Sequence, residues 1–269
     1  MNAPVRNAPV LLREDADNIA VLVLNRPQAR NSLSEALIAA LSASLAEIAA
    51  DKRVRAVVLA ANGPAFCAGH DMKEMTARRS DADRGRAYFK QLMDACAAMM
   101  QAIVHLPQPV IACVQGPASA AGCQLVASCD LAVASQAAAF ATPGVNIGLF
   151  CSTPMVALSR NVSRKHAMEM LLTGDMVEAE QARRIGLVNR VVAPGSERAE
   201  ALALARQIAS KSALTVKIGK EAFYRQLEMS LAEAYRYTAD VMVENMLARD
   251  AEEGIGAFIE KRPPNWEDR

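Results

Sequence analysis

Residues 54–71 read VRAVVLAANGPAFCAGHD. The first eight, Val54 to Ala61, are an apolar run rich in valine, and Asn62-Gly63-Pro64 breaks it. That pattern predicts a buried strand ending in a turn. Beyond the turn lies a loop of small residues with Cys67, Ala68 and Gly69 at its centre, where a ligand can approach the backbone closely. Working back from this stretch, residues 19–24 (IAVLVL) form a second such run, closed by Asn25-Arg26-Pro27. Between the two runs, Ser32 and Glu35 stand three apart as in a capping box, and Leu33, Leu37, Leu41, Leu45 and Ile48 recur at helical spacing. Strand, long helix and strand make a βαβ unit, so the fold class is α/β with a parallel sheet at this point.

Working forward, residues 62–83 read as a loop and about 84–105 as a long helix. Val110 to Val114 is a third strand, Gly116-Pro117 breaks it, and Ala120 to Ser128 is a short helix of small residues. Asp130 to Ser135 and Leu187 to Val192 are further strands. Residues 197–260 read as several helices, with Tyr235, Tyr237, Met242 and Met246 as large side chains short of partners of their own. They serve either core packing or a subunit interface. The expected organisation is a core over 1–196 and a helical region over 197–269.

The chain has 269 residues, 52% hydrophobic and 22% charged, which excludes a disordered chain. Thirty Lys and Arg against 29 Asp and Glu exclude a broad basic face, so no nucleic-acid partner is expected. No stretch approaches a membrane span, and the opening MNAPVRNAPVLLREDADN lacks the apolar core of a signal peptide. Six cysteines form no CxxC pair, and with three histidines they offer no metal-ligand spacing. They read as reduced thiols of a reducing compartment, the cytoplasm.

A second loop, Gln115 to Gln124 (QGPASAAGCQ), follows the third strand and opens a helix, whose first N–H groups have no intrahelical partner. Two such loops at the carboxyl ends of strands can aim two backbone N–H donors at one oxygen, an oxyanion hole. Small-residue loops are more often only tight turns.

NRPQARNSLS, AFCAGHDMKEM, CVQGPASAAGCQLVASCDLAVAS and the closing AFIEKRPPNW occur in one order along the chain. Together they resemble the crotonase superfamily, the enoyl-CoA hydratase/isomerase family, from about residue 10 to the end. GHDMKE and ATPGVNIGLFCSTP are most similar to one branch of it. The resemblance implies a spiral of ββα turns with a C-terminal helical region that builds a homotrimer, usually paired into a hexamer. It implies an acyl-CoA ligand, with coenzyme A part of the substrate, and no prosthetic group or metal. It assigns the thioester oxygen to the backbone N–H groups of Ala68 and Ala121, with Ala120 and Ala121 standing in glycine positions as helical backbone. It places coenzyme A near Gln28, Ala29, Arg30, Ala68, Gly69, His70 and Asp71, and its 3′-phosphate near Phe258 and Lys261 of a neighbour. One preorganised donor of this kind contributes about 3–4 kcal/mol to transition-state stabilisation.

In hydratases of the family two glutamates carry the water addition. Here the first position is Gln124, on the same helix face as residue 121, and the second is Gly144. A carboxamide hydrogen-bonds but does not exchange a proton at neutral pH. Candidate replacements are Cys151, if its pKa is lowered, and His70, which titrates in the useful range. Each has a blander reading, a buried inert thiol and a group packed near coenzyme A. Asp71 reads as structural or facing coenzyme A, Glu74 as the start of a solvated face, and Ser119, Asn146 and Ser152 as polar groups able to position water or satisfy backbone. Two functions stay open: an enzyme of hydratase, isomerase, decarboxylase or hydrolase type using the oxyanion hole, or an acyl-CoA-binding pseudoenzyme without turnover.

Overall fold

The computed structural model describes residues 8–269, so the reading of the extreme N-terminus falls in part outside the described residues. The order is β1 (Leu11–Ala16), β2 (Ile19–Leu24), α1 (Glu35–Ala50), β3 (Ala56–Ala61), α2 (Met72–Ala77), α3 (Arg86–His105), β4 (Val110–Val114), β5 (Ala118–Ser119) and α4 (Ala121–Ser128). There follow β6 (Leu131–Ser135), β7 (Ala139–Ala141), α5 (Pro154–Asn161), α6 (Arg164–Thr173), β8 (Val177–Glu178), α7 (Ala179–Arg184) and β9 (Arg190–Val192). The chain closes with α8 (Glu197–Ala209), α9 (Ala213–Gln226), α10 (Leu231–Met246) and α11 (Arg249–Glu260).

A six-stranded sheet has the order β1-β2-β3-β4-β6-β9, and β5-β7-β8 form a second, three-stranded sheet. In the larger sheet only β1 runs antiparallel to its neighbour; β2 to β9 pair in parallel. The inner strands are buried on both faces, which is why they read as unbroken apolar runs. Alternate residues divide between two cores. Leu22, Leu24, Val57, Leu59, Ala112 and Val114 pack with α1, α3 and α4. Val21, Val23, Val58, Ala60, Ile111 and Val133 pack under Ala201, Leu204 and Ala205 of α8. Thus α8, in the region expected to be the helical appendage, covers the second face of the sheet.

Some expectations are corrected. The N-cap of α1 is Ser34, whose hydroxyl accepts from the N–H of Leu37, and not Ser32. Ser32 turns away because Arg26 and Asp71 hold its hydroxyl. The stretch read as a loop at 62–83 contains α2, capped by Asp71, whose side chain accepts from the N–H of Lys73 and Glu74. Glu74 is no solvated bystander: its carboxylate accepts the N–H of Glu35 at 3.0 Å, at the mouth of α1.

Among the C-terminal helices, α9 is pinned to the core by Lys220, while Tyr235, Met242 and Met246 of α10 stay exposed. Tyr237 instead lies under the Arg225 guanidinium, 4.6 Å from ring centre to carbon. No helix among the described residues is long and apolar enough to cross a membrane.

Candidate active site

The loops that leave the carboxyl ends of β2, β3 and β4 are tied together by backbone. Asn31, fully buried, accepts the N–H of Arg26 and donates to the carbonyls of Asn62 and Ala65, each at 2.8 Å. Phe66 and Cys67 donate to the carbonyl of Pro117, and the Ser119 N–H donates to Cys67 at 2.9 Å. A Cβ on Gly116 would stand 2.4 Å from the Pro64 carbonyl oxygen, so the two loops touch where a side chain has no room.

This contact decides which N–H groups remain open. The Ala68 N–H, expected to face the ligand, donates to the carbonyl of Arg30 at 3.0 Å and is spent. Two residues on, Leu33 donates to Gly69 at 2.8 Å and Asp71 donates to Leu33 at 3.1 Å. In that bridge the N–H of His70 faces away from Leu33, and it has no acceptor among the described residues. Gly69, at φ +95°, changes the phase of the chain between the two. Gly69 also packs on the start of α4: a Cβ built there would lie 3.5 Å from the backbone nitrogen of Ala121. As the first residue of α4, Ala121 has no acceptor for its N–H among the described residues. Ala120 is not helical backbone, contrary to expectation. It sits at φ 50°, ψ −116°, with its N–H donated to Ala141 at 2.9 Å. That left-handed bend turns the end of β5 into α4.

The side chains around these donors are nearly devoid of charge. Gln124, one turn along α4 from Ala121, is 5% exposed and its Oε1 has no partner. Thr142, absent from the sequence reading, is fully buried with its Oγ1 unpartnered; it follows Ala141, which pairs with Ser119. Nothing in the sequence marked it beyond its place after a strand of three residues. His70 is half-buried, its Nε2 lacks a partner, and burial lowers its pKa, so the imidazole is neutral at neutral pH. Cys151 is buried, its Sγ accepts the N–H of Gly144 at 3.3 Å, and burial pushes its thiol pKa up rather than down. The condition for a reactive thiolate is therefore not met. The other five thiols are buried too, and burial raises them all, Cys67 and Cys123 to about 12. Asp71 is occupied by Arg26 at 3.0 Å, by Ser32 and by the start of α2. Asn146 lies against Gly174, and the Ser152 hydroxyl returns to the Phe150 carbonyl.

Arg30, Pro64, Ala65, Ala68, Pro117 and Ser119 line a cleft of about 320 Å³. Gln28 and Ala29 lie in the short turn before Arg30, whose left-handed conformation brings the chain to the cleft. Phe258, 83% exposed, and Lys261 stand at the far end of α11 and make no hydrogen bond or ion pair with the 64–71 loop. No group of three or more His, Cys, Asp or Glu among the described residues could hold a metal ion.

Comparison with known proteins shows the family. Residues 14–269 match the family model described as enoyl-CoA hydratase/isomerase. The chain is similar to human enoyl-CoA hydratase domain-containing protein 3, mitochondrial, 46% identical over 250 residues, 93% of this chain and 81% of that one. The crystal structure of that human protein superposes with a TM-score of 0.91 at 45% identity, covering 96% of this chain and all of the other. An enoyl-CoA hydratase structure from Mycobacterium smegmatis does so with a TM-score of 0.91 at 52% identity, covering 96% and 99%. The fold is the crotonase fold, and the chain belongs to the enoyl-CoA hydratase/isomerase family.

Proposed function

We propose that this chain binds an acyl-CoA thioester, holds its carbonyl oxygen between the backbone N–H groups of His70 and Ala121, and does not add water to an enoyl group by the two-glutamate route. The observation that supports the reading is that a Cβ built on Gly69, the residue before His70, would lie 3.5 Å from the nitrogen of Ala121, while neither the His70 nor the Ala121 N–H has an acceptor among the described residues. The cleft lined by Arg30, Ala68 and Ser119 supports a seat for the coenzyme A portion, in line with the stretch Gln28 to Asp71. The chemistry beside the donors is polar but not acidic: a carboxamide at 124, no side chain at 144, and a protonated thiol at 151. A Cβ at Gly144 would meet the Leu149 carbonyl oxygen at 2.9 Å and Cys151 Sγ at 3.0 Å, so a glutamate there requires the 149–151 turn to move.

A second reading, an acyl-CoA-binding protein without turnover, is favoured by this lack of a proton-transfer group. A trimeric or hexameric assembly is supported by the exposed apolar faces of α10 and α11, and in it Phe258 and Lys261 would serve a neighbour's coenzyme A. A reducing compartment, such as the cytoplasm, is supported by six unpaired, buried thiols, whereas the mitochondrial label belongs to the relatives' names.

The test is calorimetric titration with crotonyl-CoA while its enoyl absorbance is followed. Saturable binding with constant absorbance supports the proposal, and hydration by the native chain overturns it. Deuterium exchange at the α-carbon of bound butyryl-CoA separates the two readings: exchange marks an enolate-forming enzyme, its absence a binder.

A further inference from the structure

Of the residues that make up α11, only Asp250 and Ala257 are buried. Ile255, Phe258 and Ile259 stand exposed, so Ala257 is the one apolar side chain of the helix that is fully buried. Packing of that size does not hold a helix in one place. Residues 262–269 supply the hold. After the left-handed turn at Lys261 they run back along the helix. Arg262 pairs with Glu253 through two bonds of 2.7 and 2.9 Å, and Glu253 also accepts the N–H of Asn265 at 2.8 Å. At the helix start, Asp250 accepts the N–H groups of Glu267 at 2.7 Å and of Asp268 at 3.0 Å, and its own N–H donates to the carbonyl of Arg269 at 3.0 Å. Helix and return segment therefore form a hairpin, with its tip at Phe258 to Lys261 and its root at Asp250.

The root is fastened to the rest of the molecule. The Asp268 carboxylate accepts from Arg55, just before β3, and from the N–H of Ala213, which opens α9, each at 2.8 Å. The Trp266 indole donates to the carbonyl of Ser210 at 2.9 Å, and a Cβ on Gly254 would meet its ring at 3.1 Å. Asp250 is buried, and main-chain N–H groups rather than a cation meet its charge. A tilt at this root is magnified at the tip, about 15 Å further along the helix.

We propose that Asp250 is a positioning residue for coenzyme A binding: it locks the root of the hairpin, and the lock aims Phe258 and Lys261 at the 3′-phosphate held by a neighbouring copy of the chain. The proposal rests on the acyl-CoA reading above and on the place given there to Phe258 and Lys261. It adds the residue that acts through them without touching the ligand.

Calorimetry on the full chain compares butyryl-CoA with 3′-dephospho-butyryl-CoA in the native protein, Asp250→Asn and Asp268→Ala. Trp266, the only tryptophan of the chain, reports the root by its fluorescence. A carboxamide at 250 sets an NH2 donor against the arriving N–H donors, and Asp268→Ala cuts the tie to Arg55 and Ala213 with Asp250 intact. In the native protein the 3′-phosphate is expected to tighten binding about tenfold, the size of one charge-assisted hydrogen bond. In both variants that ratio is expected to fall toward one, with the affinity for the dephospho ligand held and the Trp266 emission shifted to the red. A ratio that persists beside shifted emission overturns the positioning role. Native emission in Asp250→Asn overturns the lock. An equal loss of affinity for both ligands marks a general structural role and overturns the proposal as well. A native ratio of one removes Lys261 from the phosphate, and the proposal with it, while the acyl-CoA reading stands. A native protein that binds neither thioester overturns that reading itself.

Discussion

A Cβ on Gly122 would stand 2.1 Å from the carbonyl oxygen of Cys67. That oxygen also accepts the N–H of Ser119 at 2.9 Å, so it is fixed from both sides. Since backbone, not a flexible side chain, blocks the space, Gly122→Ala must push the two loops apart. We expect a loss of about 1–3 kcal/mol in urea unfolding, as for an overpacked core, with loss of acyl-CoA binding. Unchanged binding in this variant would show that the loop contact does not hold the site together.

How far the sequence revealed this arrangement depended on element length. The strands at 19–24 and 110–114 and most of the run at 54–61 were legible because burial on both faces leaves unbroken apolar runs. Strands β5, β7 and β8 have two or three residues each, too few to display a period. The site loops were legible as loops, but not the direction of each N–H. Ala68 was expected to be an open donor, yet the left-handed turn at Gly69 gives that side of the chain to Arg30 and leaves His70 facing away. Such a phase change depends on one dihedral, and a glycine is compatible with either sign of it.

Ala120 holds φ 50°, ψ −116°, a conformation that alanine tolerates poorly and glycine adopts freely. Ala120→Gly should therefore stabilise the chain by about 1 kcal/mol, the relieved strain exceeding the added entropy of the unfolded glycine. The urea midpoint checks this. A fall in midpoint would mean that the alanine methyl, close to Gly69, contributes packing that outweighs the bend.

His70 is held below its ordinary pKa of 6.5 by burial. As pH falls through 6.5 the unfolded chain gains a proton on this residue and the folded chain does not, down to the lowered folded pKa. Stability is thus fully present above 6.5 and declines as pH drops through that window. Comparing urea midpoints near about pH 7.5 and about pH 5 should show a smaller decline in His70→Gln than in the native protein. His105 and His166 are common to both chains and cancel, so equal declines would show that His70 takes up its proton without penalty.

Lys220 brings α9 onto the core through three acceptors: the carbonyls of Ile103 and Gln108, each at 3.1 Å, and Asp130 at 2.7 Å. Asp130 in turn accepts from the N–H of Val110 and from the Tyr224 hydroxyl. Three acceptors match the three donors of an ammonium group, and burial lowers the lysine's pKa while Asp130 pulls it back up. Lys220→Met leaves a nearly buried carboxylate without its counter-charge and takes one donor from each of two carbonyls, of which Ile103 keeps the Leu106 N–H. A loss of about 3–5 kcal/mol is expected, the range for breaking one side of a buried pair. Lys220→Arg should recover little of it, because a planar guanidinium on a longer stem does not fit an ammonium site. Since α9 leads into the helices with the exposed apolar faces, Lys220→Met should also weaken the proposed trimeric or hexameric assembly, which sedimentation beside the native chain would check. Native-like unfolding and sedimentation in that variant would mean that α9 is held by its apolar contacts alone.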